Sequence, residues 1–266
     1  MVKDPKLIDL KKYKRIFTFG CSFTAWWWPT WAEVIHYESP QAEFYNLGKS
    51  SVGNQFISIR LSEAARYYNF NQDDLICIMW STFFREDRYY QNDWHFSGPI
   101  MLNLHEYGEK WHQTCDLKGY LIRDINLIRL TNGFLNSLKS DSVMMLSVPF
   151  TEYQEVLSFH KDLVESLPRS LLELEMNNKW EWTHEYKNGT NDPIKDYHPS
   201  TLRYRNYLEK IGFNLSELSL DPSLKADNLI KTAEDRNEFG IKLFGSTHDR
   251  SLGTYNTNLG TNHSWY

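Results

Sequence analysis

The stretch Arg15–Trp31, RIFTFGCSFTAWWWPTW, decides how this chain begins to fold. Its first part, Arg15–Gly20, is rich in β-branched and aromatic residues, and this composition favours a β-strand. The strand ends at a glycine, and Ser22 follows two residues later. A sharp turn at this point would lift the Ser22 hydroxyl off the sheet edge, where another molecule can reach it. The stretch therefore predicts a strand with an accessible serine at its end.

Strands and helices alternate outward from this stretch. Apolar runs predict strands, and apolar residues at helical spacing predict the helices between them. Leu75–Trp80, LICIMW, is a continuous apolar run that is typical of a buried parallel strand. The alternation predicts an α/β fold, a three-layer α/β/α sandwich around a parallel sheet. The predicted strands are Arg15–Gly20, Glu43–Leu47, Leu75–Trp80 and Ser142–Val148, and the predicted helices are Thr30–Tyr37, Asn54–Tyr68, Tyr120–Leu138, Glu155–Met176 and Ser200–Ile211.

Two segments do not follow this alternation. Arg85–Thr114 is polar and aromatic without a clear period, so we expect a long loop or lid there. Residues 213–266 differ in composition from the rest, because a possible helix at Asn214–Asp235 is followed by a Gly-, Asn- and Thr-rich tail. We therefore predict one domain over 1–212 and a C-terminal extension over 213–266. The extension could pack on the domain, bind a protein partner or stay disordered.

Composition argues against several classes of function. The chain has 266 residues, of which 41% are hydrophobic, and this is enough for one substantial core. A net charge of −5 argues against a nucleic-acid partner, because nucleic-acid-binding proteins normally present a basic surface. We find no apolar run long enough to span a membrane and no apolar segment of a secretory signal at the N-terminus, so we expect cytoplasmic synthesis.

The three cysteines, Cys21, Cys77 and Cys115, match no zinc-binding spacing and cannot all pair within one chain. Cys77 lies in an apolar run, and we interpret it as a core residue. Cys21 beside Ser22 is either a reactive thiol or a residue that fills space in the turn. We expect neither a metal nor a cofactor.

A motif far along the chain supplies what Ser22 would need for reaction. A serine hydroxyl is a weak nucleophile until a base removes its proton. Asp196–Ser200 reads DYHPS and places His198 two residues after a carboxylate, in a loop that a proline bounds. Ser, His and Asp brought together form a nucleophile, a general base and an orienting acid. Asp196 could instead cap the following helix, in which case Asp192 is the fallback carboxylate.

Aromatic residues make up 15% of the chain, and ten of them are tryptophans. Four tryptophans follow Ser22 closely: Trp26, Trp27, Trp28 and Trp31. Their rings could fill the core, or they could stack on sugar rings or acyl groups. We select Trp26 and Trp27 as candidate substrate contacts. Arg85, just past the third strand, could bind an anionic substrate group or only pair with its acidic neighbours in the sequence.

The order of these motifs resembles the SGNH, or GDSL-like, hydrolases, which have a flavodoxin-like fold. Their blocks carry a nucleophilic serine after the first strand, a glycine in the second loop, an asparagine in the third and a C-terminal Asp-x-x-His. Here the corresponding blocks are Gly20–Thr24, Val52–Asn54 and Asp196–Ser200. The resemblance implies that Ser22 and Gly53 offer backbone N–H groups to an oxyanion. The Asn54 amide could add a third donor, or it could cap the helix that follows.

Three departures from the family pattern are visible. Cys21 stands where the first block usually has aspartate, Ser81–Arg85 contains no asparagine, and Asp196 precedes His198 by two residues rather than three. The resemblance implies a serine esterase or O-deacetylase that acts on an acylated carbohydrate or small ester through an acyl-serine intermediate. The departures favour an alternative, a weakly active or inactive structural or glycan-binding protein. Short blocks of this kind resemble a divergent branch often encoded by bacteriophages, so a virion component is possible.

Overall fold

The computed structural model describes residues 7–90, 92–100, 113–181, 183–186 and 194–232. Its strands are β1 Arg15–Gly20, β2 Glu43–Asn46, β3 Asp74–Trp80, β4 Arg85–Tyr90, β5 Asp93–Pro99, β6 Asp141–Leu146, β7 His184–Tyr186 and β8 Ile194–Asp196. Its α-helices are α1 Trp31–Glu38, α2 Asn54–Tyr68, α3 Leu117–Ser137, α4 Gln154–Phe159, α5 Lys161–Val164, α6 Leu171–Glu175, α7 Thr201–Lys210 and α8 Leu220–Thr232.

The central sheet has four parallel strands in the order β2-β1-β3-β6. All seven residues of β3 are buried, as its continuous apolar run predicts. The chain moves from β1 to one side for β2 and then crosses to the other side for β3. Because such crossovers are right-handed, they put α1 on one face of the sheet and α2 and α3 on the other. The predicted α/β class is confirmed, and the strand order is flavodoxin-like.

This strand order locates the place where a site is expected. In open parallel sheets, ligands bind beyond the carboxyl ends of the strands, where neighbouring connections leave in opposite directions. Here that point lies between β1 and β3. Ser22 follows β1, Gly53 lies in the connection between β2 and α2, and Ser81 follows β3. The three loops singled out in the sequence therefore meet at one edge of the sheet.

The predicted loop or lid at Arg85–Thr114 is wrong for its first part. Residues 85–99 form the antiparallel hairpin of β4 and β5, with an irregularity between Arg85 and Asp87. The hairpin packs aromatic rings onto α2: Phe96 and Trp94 lie 4.6 and 5.4 Å from Phe56, measured between ring centroids. The irregular register disrupts the strict alternation by which strands are recognised. Residues 101–112 lie outside the described residues.

The segment predicted as one interrupted helix over Glu155–Met176 is three short helices, α4, α5 and α6. Pro168 lacks a backbone N–H and cannot continue a helix, so an interruption is expected there. Ser170 then starts α6 with a capping box, in which its hydroxyl accepts from the Glu173 N–H and the Glu173 carboxylate accepts from the Ser170 N–H.

Residues 214–232 of the predicted extension pack on the domain. The Glu38 carboxylate on α1 accepts hydrogen bonds from the Ser216 N–H and hydroxyl and from the Ser219 N–H, at 2.7–2.9 Å. Ala226 and Ile230 of α8 are buried, and α8 contacts α7. The later part of the extension lies outside the described residues. No helix in the described part of the chain is both long and apolar enough to cross a membrane.

Candidate active site

The turn after β1 is tight enough that its glycine cannot be replaced. The Cys21 carbonyl accepts from the Thr24 N–H at 2.8 Å and from the Ala25 N–H at 3.2 Å, which closes the turn around Ser22. A Cβ on Gly20 would lie 2.1 Å from Thr24 Oγ1 and 2.8 Å from the Met79 carbonyl oxygen. Only glycine therefore fits, and Cys21 itself is a buried free thiol.

Ser22, His198 and Asp196 form a continuous chain of hydrogen bonds. Ser22 Oγ lies 2.8 Å from His198 Nε2, and His198 Nδ1 lies 2.7 Å from Asp196 Oδ1. Because the carboxylate can only accept, Nδ1 carries the proton and Nε2 presents its lone pair to the serine hydroxyl. Ser22 is 4% exposed and Asp196 5%, while the His198 side chain is 17% exposed. The arrangement can remove a proton from Ser22.

A local hydrogen bond within its own loop positions Asp196 for the contact with His198. Its Oδ1 also accepts the backbone N–H of His198 at 3.0 Å, a local bond that the two-residue spacing permits. The other possible role, capping α7, belongs to Ser200, whose hydroxyl accepts from the Arg203 N–H. Asp192, the fallback carboxylate, lies outside the described residues.

Trp26 lies against the histidine and the carboxylate together. Its ring stacks on the His198 imidazole with 3.6 Å between centroids and 21° between planes. Its indole N–H donates to Asp196 Oδ2 at 3.1 Å. Trp26 also lines a cavity in front of Ser22, as its predicted role in substrate contact requires. The hydrogen bond to Asp196 and the stacking on His198 were not visible in the sequence, because they depend on residues far along the chain.

The neighbouring tryptophans connect the His198 loop to α8. Trp28 donates its indole N–H to the Pro199 carbonyl at 2.8 Å and packs with Ile230. Trp27 packs on the same small cluster and is not among the residues that line the cavity. Asp227 of α8 accepts from the Ser200 hydroxyl at 2.7 Å. The helix of the predicted extension thus supports the loop that carries His198.

The predicted oxyanion donors differ in their availability. Among the described residues, no acceptor is found for the Ser22 N–H. The Gly53 N–H already donates to Asp87 Oδ1 at 2.7 Å. The Asn54 amide donates to the Ser81 carbonyl at 3.1 Å and to Asp124 Oδ2 at 2.8 Å, and its oxygen accepts the Ser81 N–H at 2.8 Å. As folded, therefore, neither Gly53 nor Asn54 offers a free donor, and Asn54 is not the cap of α2 either.

Asp87 is a residue beside the candidate site that sequence reasoning missed. Its Oδ2 accepts the Phe56 N–H at 2.8 Å, so its two oxygens together cap the start of α2. Gly53 precedes α2 and has no side chain to cap it. A Cβ on Gly53 would lie 2.9 Å from Arg85 Cβ and from Asp87 Oδ2, so glycine lets the hairpin approach. Burial raises the pKa of Asp87, and its two backbone donors oppose that rise.

A cavity of about 520 Å³ opens in front of Ser22. Its walls include Trp26, Arg85, Trp180 and His198. Arg85 is 7% exposed, and its guanidinium donates to the Val52 carbonyl at 3.1 Å. Among the described residues it forms no ion pair with a carboxylate, including those of its acidic neighbours. Arg85 thus lies in the cavity wall and is held there by a backbone carbonyl.

Comparison with known proteins shows a structural likeness. No family profile matches the chain, and no similar sequence is found among curated proteins. A structure assigned to the G-D-S-L family of lipolytic proteins, from Desulfitobacterium hafniense DCB-2, is similar at 14% identity with a TM-score of 0.41. The match covers 74% of this chain and 99% of that one. In the described part of this chain, no group of three or more His, Cys, Asp or Glu side chains could hold a metal ion.

Proposed function

We propose that this chain is a serine ester hydrolase of the SGNH type. The observation that carries the proposal is the hydrogen-bonded chain from Ser22 Oγ through both ring nitrogens of His198 to Asp196, at 2.8 and 2.7 Å. It faces a cavity large enough for a small organic substrate. The order of the sequence blocks in which these residues lie resembles the SGNH hydrolases and supports the same reaction class.

The first half of the reaction would acylate Ser22. Its oxygen attacks the ester carbonyl while its proton moves to His198 Nε2. Asp196 holds the opposite ring nitrogen and stabilises the imidazolium that results. The Ser22 N–H is the donor available to the carbonyl oxygen as negative charge develops there. The C–O bond to the alcohol then breaks, and the alcohol leaves with the proton from His198.

The second half would regenerate the enzyme. Water gives a proton to His198 Nε2 and attacks the acyl carbon, and the bond to Ser22 Oγ breaks as the histidine returns the proton. Trp26 covers one face of the imidazole throughout, because it stacks at 3.6 Å. We infer that the acyl group is small, such as acetyl, and that it is carried by a carbohydrate-like alcohol. The aromatic walls and Arg85 support a polar, ring-bearing substrate.

The direct test compares wild-type protein with Ser22→Ala on p-nitrophenyl acetate. We expect at least about a 10³-fold lower rate in the variant, because the nucleophile is lost. Circular dichroism of both proteins should be the same. Equal rates in the two proteins, or none in either, would refute the esterase proposal.

A second candidate function is favoured by one specific observation. The Gly53 and Asn54 donors are bonded to Asp87, Asp124 and Ser81, which leaves only the Ser22 N–H of the predicted oxyanion donors. A binding protein, for example a glycan-binding component of a virion, would need the cavity but no oxyanion donor. Such a protein would bind acetylated sugars equally well with and without the Ser22 hydroxyl.

A further inference from the structure

A second cavity of about 550 Å³ adjoins the one in front of Ser22. The two share the walls formed by Phe23, Arg85, Pro99 and Trp180. Their common walls make them neighbouring compartments of one groove along the carboxyl edge of the sheet. Both volumes lie within the range that ligand pockets usually occupy, roughly 300–1,000 Å³.

Two buried polar atoms on residues that line this second cavity have no hydrogen-bond partner within the described ranges. They are Ser81 Oγ and Arg85 Nε, on residues that are 2% and 7% exposed. Asn54 holds both backbone polar groups of Ser81, which fixes where the Ser81 side chain begins. A buried polar atom without a partner is unfavourable, so a bound molecule that brings a hydroxyl within reach of it would be stabilised.

Aromatic and apolar side chains form part of the remaining walls of this cavity, and polar residues complete them: Thr82, Ser147, Thr151, Glu152 and Asn178. Phe84 packs on Phe83 with 3.8 Å between ring centroids, and both rings line the cavity. Trp180 lies at the junction of the two cavities and is 49% exposed. A sugar ring has apolar C–H faces, which can stack on aromatic rings, and a rim of hydroxyls, which can hydrogen-bond to unpartnered polar atoms.

We propose that the second cavity binds a sugar unit adjacent to the acylated one, with its hydroxyls at Ser81 Oγ and Arg85 Nε. This inference rests on the proposed function. A long acyl chain would satisfy neither polar atom, whereas a sugar unit can satisfy both. The groove therefore selects a short acyl group on an oligosaccharide over a fatty-acid ester.

The test uses three esters: p-nitrophenyl octanoate, a mono-O-acetyl glucoside and a mono-O-acetyl cellobioside. Ser81→Ala and Phe84→Ala should each lower the cellobioside-to-glucoside ratio of kcat/KM by about tenfold, the value of one lost hydrogen bond or ring contact. Ser137→Ala, at an exposed position on α3 away from both cavities, is the matched control and should leave the ratio unchanged. A lower octanoate rate with an unchanged sugar ratio would overturn the proposal in favour of an acyl chain.

A binding measurement separates failure of the subsite from failure of the esterase. Calorimetry of Ser22→Ala with the acetylated cellobioside does not require catalysis. We expect binding about tenfold weaker when Ser81→Ala is added to that variant. Equal binding would refute the subsite even if the esterase is active. Weaker binding in a protein without any Ser22-dependent hydrolysis would support the subsite and refute the esterase.

Discussion

The nucleophile loop and the loop before α2 meet at the same edge of the sheet but are built differently. Around Ser22, the polar groups face one another and a cavity: the hydroxyl faces His198, and no acceptor is found for the N–H among the described residues. Around Gly53 and Asn54, the donors that the sequence suggested for an oxyanion are bonded to Asp87, Asp124 and Ser81. A motif residue thus acquires its role from the side chains that the rest of the fold brings against it.

The largest expected effect tests the nucleophile loop. His198→Gln removes the base but keeps a polar side chain, so we expect the rate on p-nitrophenyl acetate to fall by about 10³-fold or more. His160→Gln is a matched control, because His160 lies between α4 and α5 and contacts Arg129 rather than Ser22. A small loss in His198→Gln would mean that the observed chain of hydrogen bonds does not act in catalysis.

The next largest effect tests the buried carboxyl group of Asp124, which accepts a hydrogen bond from Asn54. Burial is the main cause that raises the pKa of Asp124 to about 6, although Arg123 and Asn54 oppose it. Its folded pKa exceeds its unfolded one, so its contribution to stability is present below pH ~4 and is lost as the pH rises through ~6. From pH 4 to 7, wild type should therefore lose up to about 3 kcal/mol of unfolding free energy relative to Asp124→Asn.

Urea denaturation of both proteins at four pH values between 4 and 7 measures this difference directly. Carboxylates that do not interact with Asp124 titrate equally in both proteins and cancel in the comparison, whereas Asp87 interacts with Asp124 and adds a smaller change. A difference that does not change with pH would show that the Asp124 carboxylate has the same pKa in the folded and unfolded chain. Ionisation of Asp124 beside Asn54 would then cost the folded protein no stability.

A smaller effect tests the Asp87 carboxylate, which caps α2 and accepts the Gly53 N–H. Asp87→Ala leaves the Gly53 and Phe56 N–H groups without their acceptor, and we expect a loss of about 2 kcal/mol of unfolding free energy. Asp162→Ala, at an exposed ion pair with Arg129, should cost less than about 1 kcal/mol. A higher kcat in Asp87→Ala would instead indicate that releasing Gly53 creates an oxyanion donor, and would narrow the contrast between the two loops.

The sequence predicts this site well where the signals are local. The apolar runs predict the parallel sheet, and DYHPS brings Asp196 and His198 together within one short loop. The cap on α2 could not be predicted, because Asp87 lies in a polar stretch that reads as a loop. Its buried position depends on a hairpin that folds back onto Gly53. Gly53 does mark a position that another group approaches closely. That group is the β4–β5 hairpin, whereas the sequence suggested an oxyanion.

The smallest expected effect asks whether Trp26 acts on the substrate or on the histidine. Trp26→Phe keeps a ring for stacking on His198 but removes the N–H that bonds Asp196 Oδ2. The freed carboxylate should hold the imidazolium more strongly, so the acid limb of the pH–rate profile should move to higher pH. We expect kcat/KM to fall by about threefold to tenfold, the worth of one hydrogen bond to a charged group.

Trp26→Leu removes the stacked ring as well and should lower kcat further than Trp26→Phe. Trp27→Phe is the matched control, since Trp27 packs toward α8 and does not line the cavity; its kinetics should stay within about twofold of wild type. A rise in KM alone in Trp26→Phe, with an unchanged pH–rate profile, would show that Trp26 contacts the substrate and does not act on the histidine. A displaced acid limb in Trp26→Phe, which keeps the stacked ring, would identify Trp26 as a residue that positions Asp196 and His198 through its N–H.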